Sequence, residues 1–254
     1  MNIEWLDPFN PDYPFPPVDT AFTDPDGLLA AGGDLSPRRL LRAYQRGIFP
    51  WYEAGQPILW WSPNPRAVLY PRHFKMTRSL RKSARNKPYR VTFDSAFREV
   101  LLGCAAPRRQ AASTWITAEM LDAYCQLHAQ GFAHSVEVWH AQEQRLLGGL
   151  YGVAIGQVFF GESMFSWSTD ASKLGLAYLA RHLQAWGYPL IDCQLPSPHL
   201  HSLGAEMIPR SKFMDLLARY CSRRGQPSPW KVDASLEVAS WQPSCMQSQP
   251  YRQA

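Results

Sequence analysis

The 254-residue sequence predicts an α+β fold with two unequal parts, and three observations carry that prediction. The first third is rich in indoles and prolines and holds one clear helical repeat. Three successive runs of strand-like alternation occupy the middle of the chain. A helical run then leads into a short apolar strand at 188–194, giving the order strand, strand, strand, helix, strand.

Residues 1–65 form the expected small N-terminal domain. Ser36-Pro37 supplies a cap and an N1 proline before Leu40, Leu41, Tyr44 and Ile48, which share one helical face, and Gly47 ends the run. Phe49-Pro50-Trp51-Tyr52 and Ile58-Leu59-Trp60-Trp61-Ser62-Pro63-Asn64-Pro65 read as extended or turning chain.

Residues 66–234 form the expected larger domain. Segments 67–70 and 89–93 read as strands on either side of a basic stretch in which Lys75, Arg78, Arg81, Lys82 and Arg85 recur at helical spacing. Helices follow at 95–103 and 117–131, the second capped by Thr117 and carrying Met120, Leu121, Tyr124 and Leu127 on one face. Segments 135–139, 145–155 and 157–165 alternate as three antiparallel strands would. A helix at 173–186 gathers Leu176, Leu179, Ala180 and Leu183 on one face, and a last helix is expected at 211–223. Residues 235–254 read as a polar tail without regular structure.

The formal charge of +5 and pI near 9.0 favour a polyanionic partner only because the charge is concentrated. From Arg72 to Arg90 there are many cations and no acid. Such a stripe is either a solvated helix face or a phosphate-contacting surface. Five cysteines without a C-x-x-C pair argue against a disulfide framework and a zinc finger, and imply a reducing compartment. No secretory leader or membrane-length apolar run is evident, so a soluble cytoplasmic protein is expected. His199-Leu200-His201 has no cluster of further ligands in sequence, and no metal site is expected.

Several features carry chemistry. Asp192-Cys193-Gln194 ends a strand reached from a helix, where open mixed sheets present residues to ligands; otherwise an acid and an amide merely end a strand there. Asp192 and Gln194 should face one side and Cys193 the core. Glu162, in Gly161-Glu162-Ser163-Met164-Phe165, is a charge inside an apolar strand and needs a partner, either an arginine or a ligand ammonium. Trp51, Trp60, Trp61 and Trp115 are either core residues or stacking platforms for nucleobases. Gly148-Gly149-Leu150-Tyr151-Gly152 reads as close backbone approach within a hairpin.

Longer motifs are recognisable: Gly32-Gly33-Asp34-Leu35-Ser36, Tyr44-Gln45-Arg46-Gly47-Ile48-Phe49-Pro50-Trp51, Trp60-Trp61-Ser62-Pro63, Thr114-Trp115-Ile116-Thr117, His134-Ser135-Val136-Glu137-Val138-Trp139, Gly161-Glu162-Ser163-Met164-Phe165-Ser166 and Ile191-Asp192-Cys193-Gln194. In this order they resemble the leucyl/phenylalanyl-tRNA-protein transferase family, over about residues 22–230. The resemblance implies a small N-terminal domain and an acyl-CoA N-acyltransferase-like (GNAT-like) second domain. It implies transfer of Leu, Phe or Met from aminoacyl-tRNA to an N-terminal Arg or Lys, marking proteins for degradation, with no cofactor, no membrane and a monomer. It also points to Trp51 and Trp115 around the terminal adenosine with Tyr44 and Tyr124 nearby, to Asp192 and Gln194 at the centre, and to Glu162 beside them. Leu150, Phe159, Leu176, Leu179, Leu183 and Ile191 would line an apolar aminoacyl pocket. Leu150, Leu179 and Leu183 stand where relatives carry Met or Phe, and Ser197 where they carry asparagine.

An aminoacyl ester is already activated, so proximity supplies much of the catalysis. Gln194 is too weak a base to take a free proton and is expected to accept a hydrogen bond from the amine. Asp192 either polarises Gln194 or stabilises a cation. Two alternatives remain. A CoA-dependent N-acyltransferase fits the strand order, although the loop from Ser166 to Ser172 lacks pyrophosphate-wrapping glycines. A non-catalytic RNA-binding module leaves Glu162 and Asp192 unexplained.

Overall fold

A computed structural model describes residues 3–106 and 116–243. The N-terminal part is built from β1 (Glu4–Leu6), β2 (Leu28–Gly32), α1 (Pro37–Gln45), β3 (Phe49–Pro50) and β4 (Leu59–Trp61), with the strands in the order β1-β2-β4-β3. The helix expected after Ser36-Pro37 forms, and Ser36 Oγ accepts a hydrogen bond from the Arg39 amide at 3.3 Å. Leu40, Tyr44 and Ile48 are fully buried. Arg39 is buried too, donating to Asp34 Oδ2 and to the Asp7 carbonyl, each at 2.8 Å, which ties the first loop to α1.

The larger part follows as β5 (Arg66–Leu69), α2 (Arg78–Asn86), β6 (Tyr89–Phe93), α3 (Phe97–Ala105), α4 (Ala118–Ala129), β7 (Ala133–His140), β8 (Leu146–Ile155), β9 (Val158–Ser166), α5 (Ala171–Ala185), β10 (Leu190–Gln194), α6 (Pro198–Ser202), β11 (Glu206–Ile208) and α7 (Arg210–Tyr220). Its seven-stranded sheet runs β11-β5-β10-β9-β8-β7-β6. The three strands β7, β8 and β9 form the expected antiparallel meander. The β9–β10 pair is parallel because α5 crosses over between them. At Gly152 an added Cβ would lie 2.2 Å from the Phe160 carbonyl, so that glycine serves close strand approach, as its run suggests.

Two irregularities position the site. Between Tyr151↔Ser163 and Gly152↔Gly161 the β8–β9 register shifts, leaving Glu162 as the extra residue of a bulge. Between Asp192↔Val68 and Gln194↔Ala67 the β10–β5 register shifts at Cys193, and Gln194 takes a left-handed φ of 62°. Bulges re-aim side chains that regular alternation would place elsewhere.

One face of the sheet packs under α1, α3, α4, α7 and the N-terminal strands; the other packs under α5, α2 and the segment that includes Trp230, Val238 and Trp241. Val238 and Trp241 are buried, and the Trp241 ring stacks on Phe74 at 5.7 Å. The chain after 234 was expected to be a separate polar tail. Up to 243 it has no helix or strand, but it belongs to the packing, because two apolar side chains find a groove between α2 and α5. Among the described residues no helix is long and apolar enough to cross a membrane.

Candidate active site

The bulge on β9 aims Glu162 at the N-terminal part of the molecule. Tyr44 of α1 donates to Glu162 Oε1 at 2.8 Å, Tyr124 of α4 donates to Oε2 at 2.7 Å, and the two phenol oxygens lie 2.5 Å apart. Gln194 Nε2 donates to Oε1 at 2.7 Å. Within the chain the partner of this carboxylate is therefore not the arginine that was one of the two expectations but a pair of phenols and an amide. Burial pushes Glu162 up to about 7; the hydrogen bonds from Tyr124, Tyr44 and Gln194 hold it down, and the nearby Asp192 charge adds to the rise. Tyr44 and Tyr124 are raised well above the ordinary phenol value, chiefly by burial and then by the Glu162 charge.

Asp192 and Gln194 both turn toward the N-terminal part, but to different partners. Asp192 is fully buried and held by Arg66, whose Nε reaches Oδ1 at 2.8 Å and whose second nitrogen reaches Oδ2 at 2.7 Å. The Gln194 amide also donates to Asp192 Oδ1 at 2.9 Å. Arg66 lies between the rings of Phe49 and Phe213, 4.8 and 4.7 Å from their centroids, and donates to the Gly47 carbonyl at 3.1 Å. Asp192 is thus spoken for by a structural cation. Its hydrogen bond to the Gln194 amide links it to Glu162, and Asp192 itself also lines the apolar cavity at Cys193. With Nε2 committed to Glu162, Gln194 keeps Oε1 as the amide atom able to accept from an amine.

Cys193 lines an apolar cavity of about 100 Å³ together with Leu150, Phe159, Met164, Leu176 and Ile191, with Glu162, Tyr151 and Asp192 also at its wall. Burial pushes the Cys193 thiol far up, which keeps it neutral and removes it as a nucleophile. Leu179 and Leu183 were expected in this lining and are not part of it; both are fully buried in the core. A helix rises about 1.5 Å per residue, so Leu183 sits about 10 Å beyond Leu176, past the end of so small a cavity. Tyr151, Met164 and Leu200 line it without having been anticipated. The Tyr151 hydroxyl is buried with no hydrogen-bond partner among the described residues.

Trp60 is fully buried and is a core residue, whereas Trp51 is 42% exposed, with its carbonyl accepting from Trp61 Nε1 at 2.7 Å. Beside it, the Tyr52 hydroxyl meets Thr117 Oγ1 at 3.3 Å at the start of α4. Trp115 lies outside the described residues. The basic stripe forms α2 as expected, and Lys75, Arg78, Lys82 and Arg85 are exposed. Part of it is engaged by the chain itself: Arg81 donates to the Ala239 carbonyl at 3.2 Å and Arg85 to the same oxygen at 3.5 Å. Arg66 was the main residue that sequence reasoning missed. The signal was present, a lone cation opening the apolar run Arg66–Leu69, but its partner lies far along the chain.

The pattern for the "Leucyl/phenylalanyl-tRNA protein transferase" matches residues 68–218, and that for the "N-terminal domain" of the same family matches residues 33–64. The leucyl/phenylalanyl-tRNA–protein transferase of Stutzerimonas stutzeri is 58% identical over 87% of this chain and 96% of its own length. That of Nitrosomonas europaea is 57% identical over 87% of this chain and 93% of its own. The structure of L-PGS from Bacillus licheniformis overlaps 65% of this chain and 55% of that one at 10% identity and a TM-score of 0.39, too distant to speak for the fold. With most of its length matched at this identity, the chain belongs to the leucyl/phenylalanyl-tRNA-protein transferase family.

Proposed function

We propose that this chain moves Leu, Phe or Met from the 3' end of aminoacyl-tRNA onto the α-amine of an N-terminal Arg or Lys, forming a peptide bond that marks the acceptor for degradation. The observation that carries the reading is one apolar cavity with one polar end. Leu150, Phe159, Met164, Leu176 and Ile191 suit an uncharged side chain, and Glu162, which Gln194 reaches by a hydrogen bond, stands at the wall where its backbone would lie. Trp51 and Trp115 are assigned to the terminal adenosine, and Lys75, Arg78 and Lys82, with Arg81 and Arg85 beside them, to the tRNA backbone.

In this reading the binding of both substrates supplies most of the acceleration, because the ester carbonyl and the amine are held in contact. Gln194 Oε1 accepts from the amine and orients its lone pair. Asp192 acts as a positioning residue, fixing the Gln194 backbone from its own fixed place on Arg66. No cofactor is required, since the ester carries the activation.

We also assign the larger sheet to the GNAT-like class and set a domain boundary near residue 65. Support comes from the parallel ladder between Leu190↔Val158 and Asp192↔Phe160, which ends at the two bulges, and from two sheets that share no strand. The chain is assigned to the cytoplasm as a monomer; free thiols at Cys125, Cys193 and Cys221 suit a reducing compartment. The CoA-dependent alternative gains nothing from the loop before α5, where the Thr169 carbonyl is already bound by Lys87 and Tyr89. Supplying radiolabelled leucyl-tRNA or acetyl-CoA as the sole donor to an Arg-starting peptide separates the two: label should reach the peptide only from the tRNA.

A further inference from the structure

Three oxygen–oxygen contacts close a ring on Glu162, which lines the cavity: Tyr44 to Tyr124 at 2.5 Å, Tyr44 to Glu162 Oε1 at 2.8 Å and Tyr124 to Glu162 Oε2 at 2.7 Å. Each contact at such a distance needs one proton between its oxygens. The two phenols bring two. A protonated Glu162 brings the third, and the ring then runs head to tail: Glu162 to Tyr124, Tyr124 to Tyr44, and Tyr44 back to Glu162 Oε1. Gln194 Nε2 donates to that same Oε1 from outside the ring. With Glu162 ionised, both phenols turn to the carboxylate and the short contact between them has no proton. The geometry is therefore that of a site that accepts one proton and completes its hydrogen bonding by doing so.

The groups facing Glu162 from the surrounding elements leave it alone in this capacity. Tyr44 on α1, Tyr124 on α4 and Tyr151 on β8 are buried phenols. Asp192 on β10 is the other acid nearby, and Arg66 on β5 occupies both of its oxygens. Burial holds Glu162 near neutral pH, which suits exchange with an α-amine whose ordinary pKa is about 7.7–8.0.

We propose that Glu162, closed in its ring with Tyr44 and Tyr124, is the catalytic residue that takes the proton from the attacking ammonium. The proposal rests on the transfer reading above. One N–H bond of the ammonium breaks and its proton passes to the Glu162 carboxylate. The freed lone pair attacks the ester carbonyl. As the carbon–oxygen bond to the ribose breaks, a second proton from that nitrogen ends on the ribose oxygen. Ammonium, ester and carboxylate thus become amide, alcohol and carboxylic acid, and Glu162 later returns its proton to water.

The test is the pH dependence of the single-turnover transfer rate from saturating leucyl-tRNA to an Arg-starting peptide, for the wild type, Glu162→Gln and Glu162→Asp, with leucyl-tRNA affinity measured alongside. The wild-type rate should rise with pH through about 7 and level off, because below that value Glu162 already holds the proton. Glu162→Gln should fall about 100-fold at neutral pH, and its rise should move up toward the amine's own pKa, about 7.7–8.0. Glu162→Asp should recover part of the rate and keep a rise of its own. Affinity for leucyl-tRNA should stay within about threefold of wild type, well under the tenfold that about 1.4 kcal/mol represents. A Glu162→Gln profile that overlays the wild type overturns the proposal, as does a loss of affinity that accounts for the whole defect. A wild-type chain that transfers nothing overturns the transfer reading itself, and the proposal with it.

Discussion

Arg66 closes on Asp192 through two parallel N–H···O bonds, and both side chains are shut away from water. A buried carboxylate with a bidentate arginine is already neutralised, so the acid in the Asp-Cys-Gln motif is not the free group its position suggests. The same guanidinium holds the Gly47 carbonyl just after α1, the helix that brings Tyr44 to Glu162. Asp192 in turn holds the Gln194 amide, and Gln194 reaches Glu162 from the other side. The pair thereby sets the N-terminal part in register with the end of β10.

Breaking this pair on one side leaves a charge buried without compensation. Arg66→Met should destabilise the fold by about 3–5 kcal/mol, whereas Arg66→Met combined with Asp192→Leu should recover most of that. Chemical denaturation of the three proteins decides it; equal stability of the single and double variants would remove the ion pair from the account.

Asp192→Asn keeps an oxygen for the Gln194 amide, and Gln194→Ala removes the amide side chain altogether. Both should lower turnover, the second more, with aminoacyl-tRNA binding near wild type, because neither side chain lies among the residues assigned to adenosine or backbone. Filter binding and single-turnover rates separate the effects, and lost tRNA binding in either variant would contradict the assignment.

On α2 the chain's own carbonyl at Ala239 already engages Arg81 and Arg85. Replacing Lys75, Arg78 and Lys82 together by alanine should therefore weaken tRNA binding more than replacing Arg81 and Arg85. If each of the three meets one phosphate, the slope of log K against log salt should flatten by about 2–3. An unchanged slope would return the helix to a plain solvated face.

The cavity of about 100 Å³ is smaller than the ~150 Å³ apolar cavity that takes benzene. Leu should accordingly be transferred in preference to Phe, and Leu150→Ala should shift the ratio of kcat/KM toward Phe. A wild-type preference for Phe, or an unmoved ratio in the variant, would mean that the cavity does not hold the aminoacyl side chain.

Elements with strong local signals were legible in the sequence: α1 from Ser36-Pro37, α4 from Thr117, and the β7–β9 meander from its alternation. β1, β2, α6 and β11 were not, being only three to five residues long and set among prolines and glycines where no period can develop. Glu162 could be singled out because a charge in an apolar strand needs a partner. Which partner was not legible, since Tyr44, Tyr124 and Gln194 come from three distant elements and meet it only through the bulges. The Arg66–Asp192 pair was hidden for the same reason, and so was the limit of the cavity at Leu176: a helical face tells which residues share a side, not how far along the helix a cavity extends.

The most direct measurement is tandem mass spectrometry of an Arg-starting peptide after incubation with leucyl-tRNA and the purified chain. The account predicts a gain of one leucyl residue, joined by an amide to the α-nitrogen of the arginine, and no gain on a peptide starting with Asp. An unchanged Arg peptide, or leucine attached anywhere but that α-nitrogen, would contradict it.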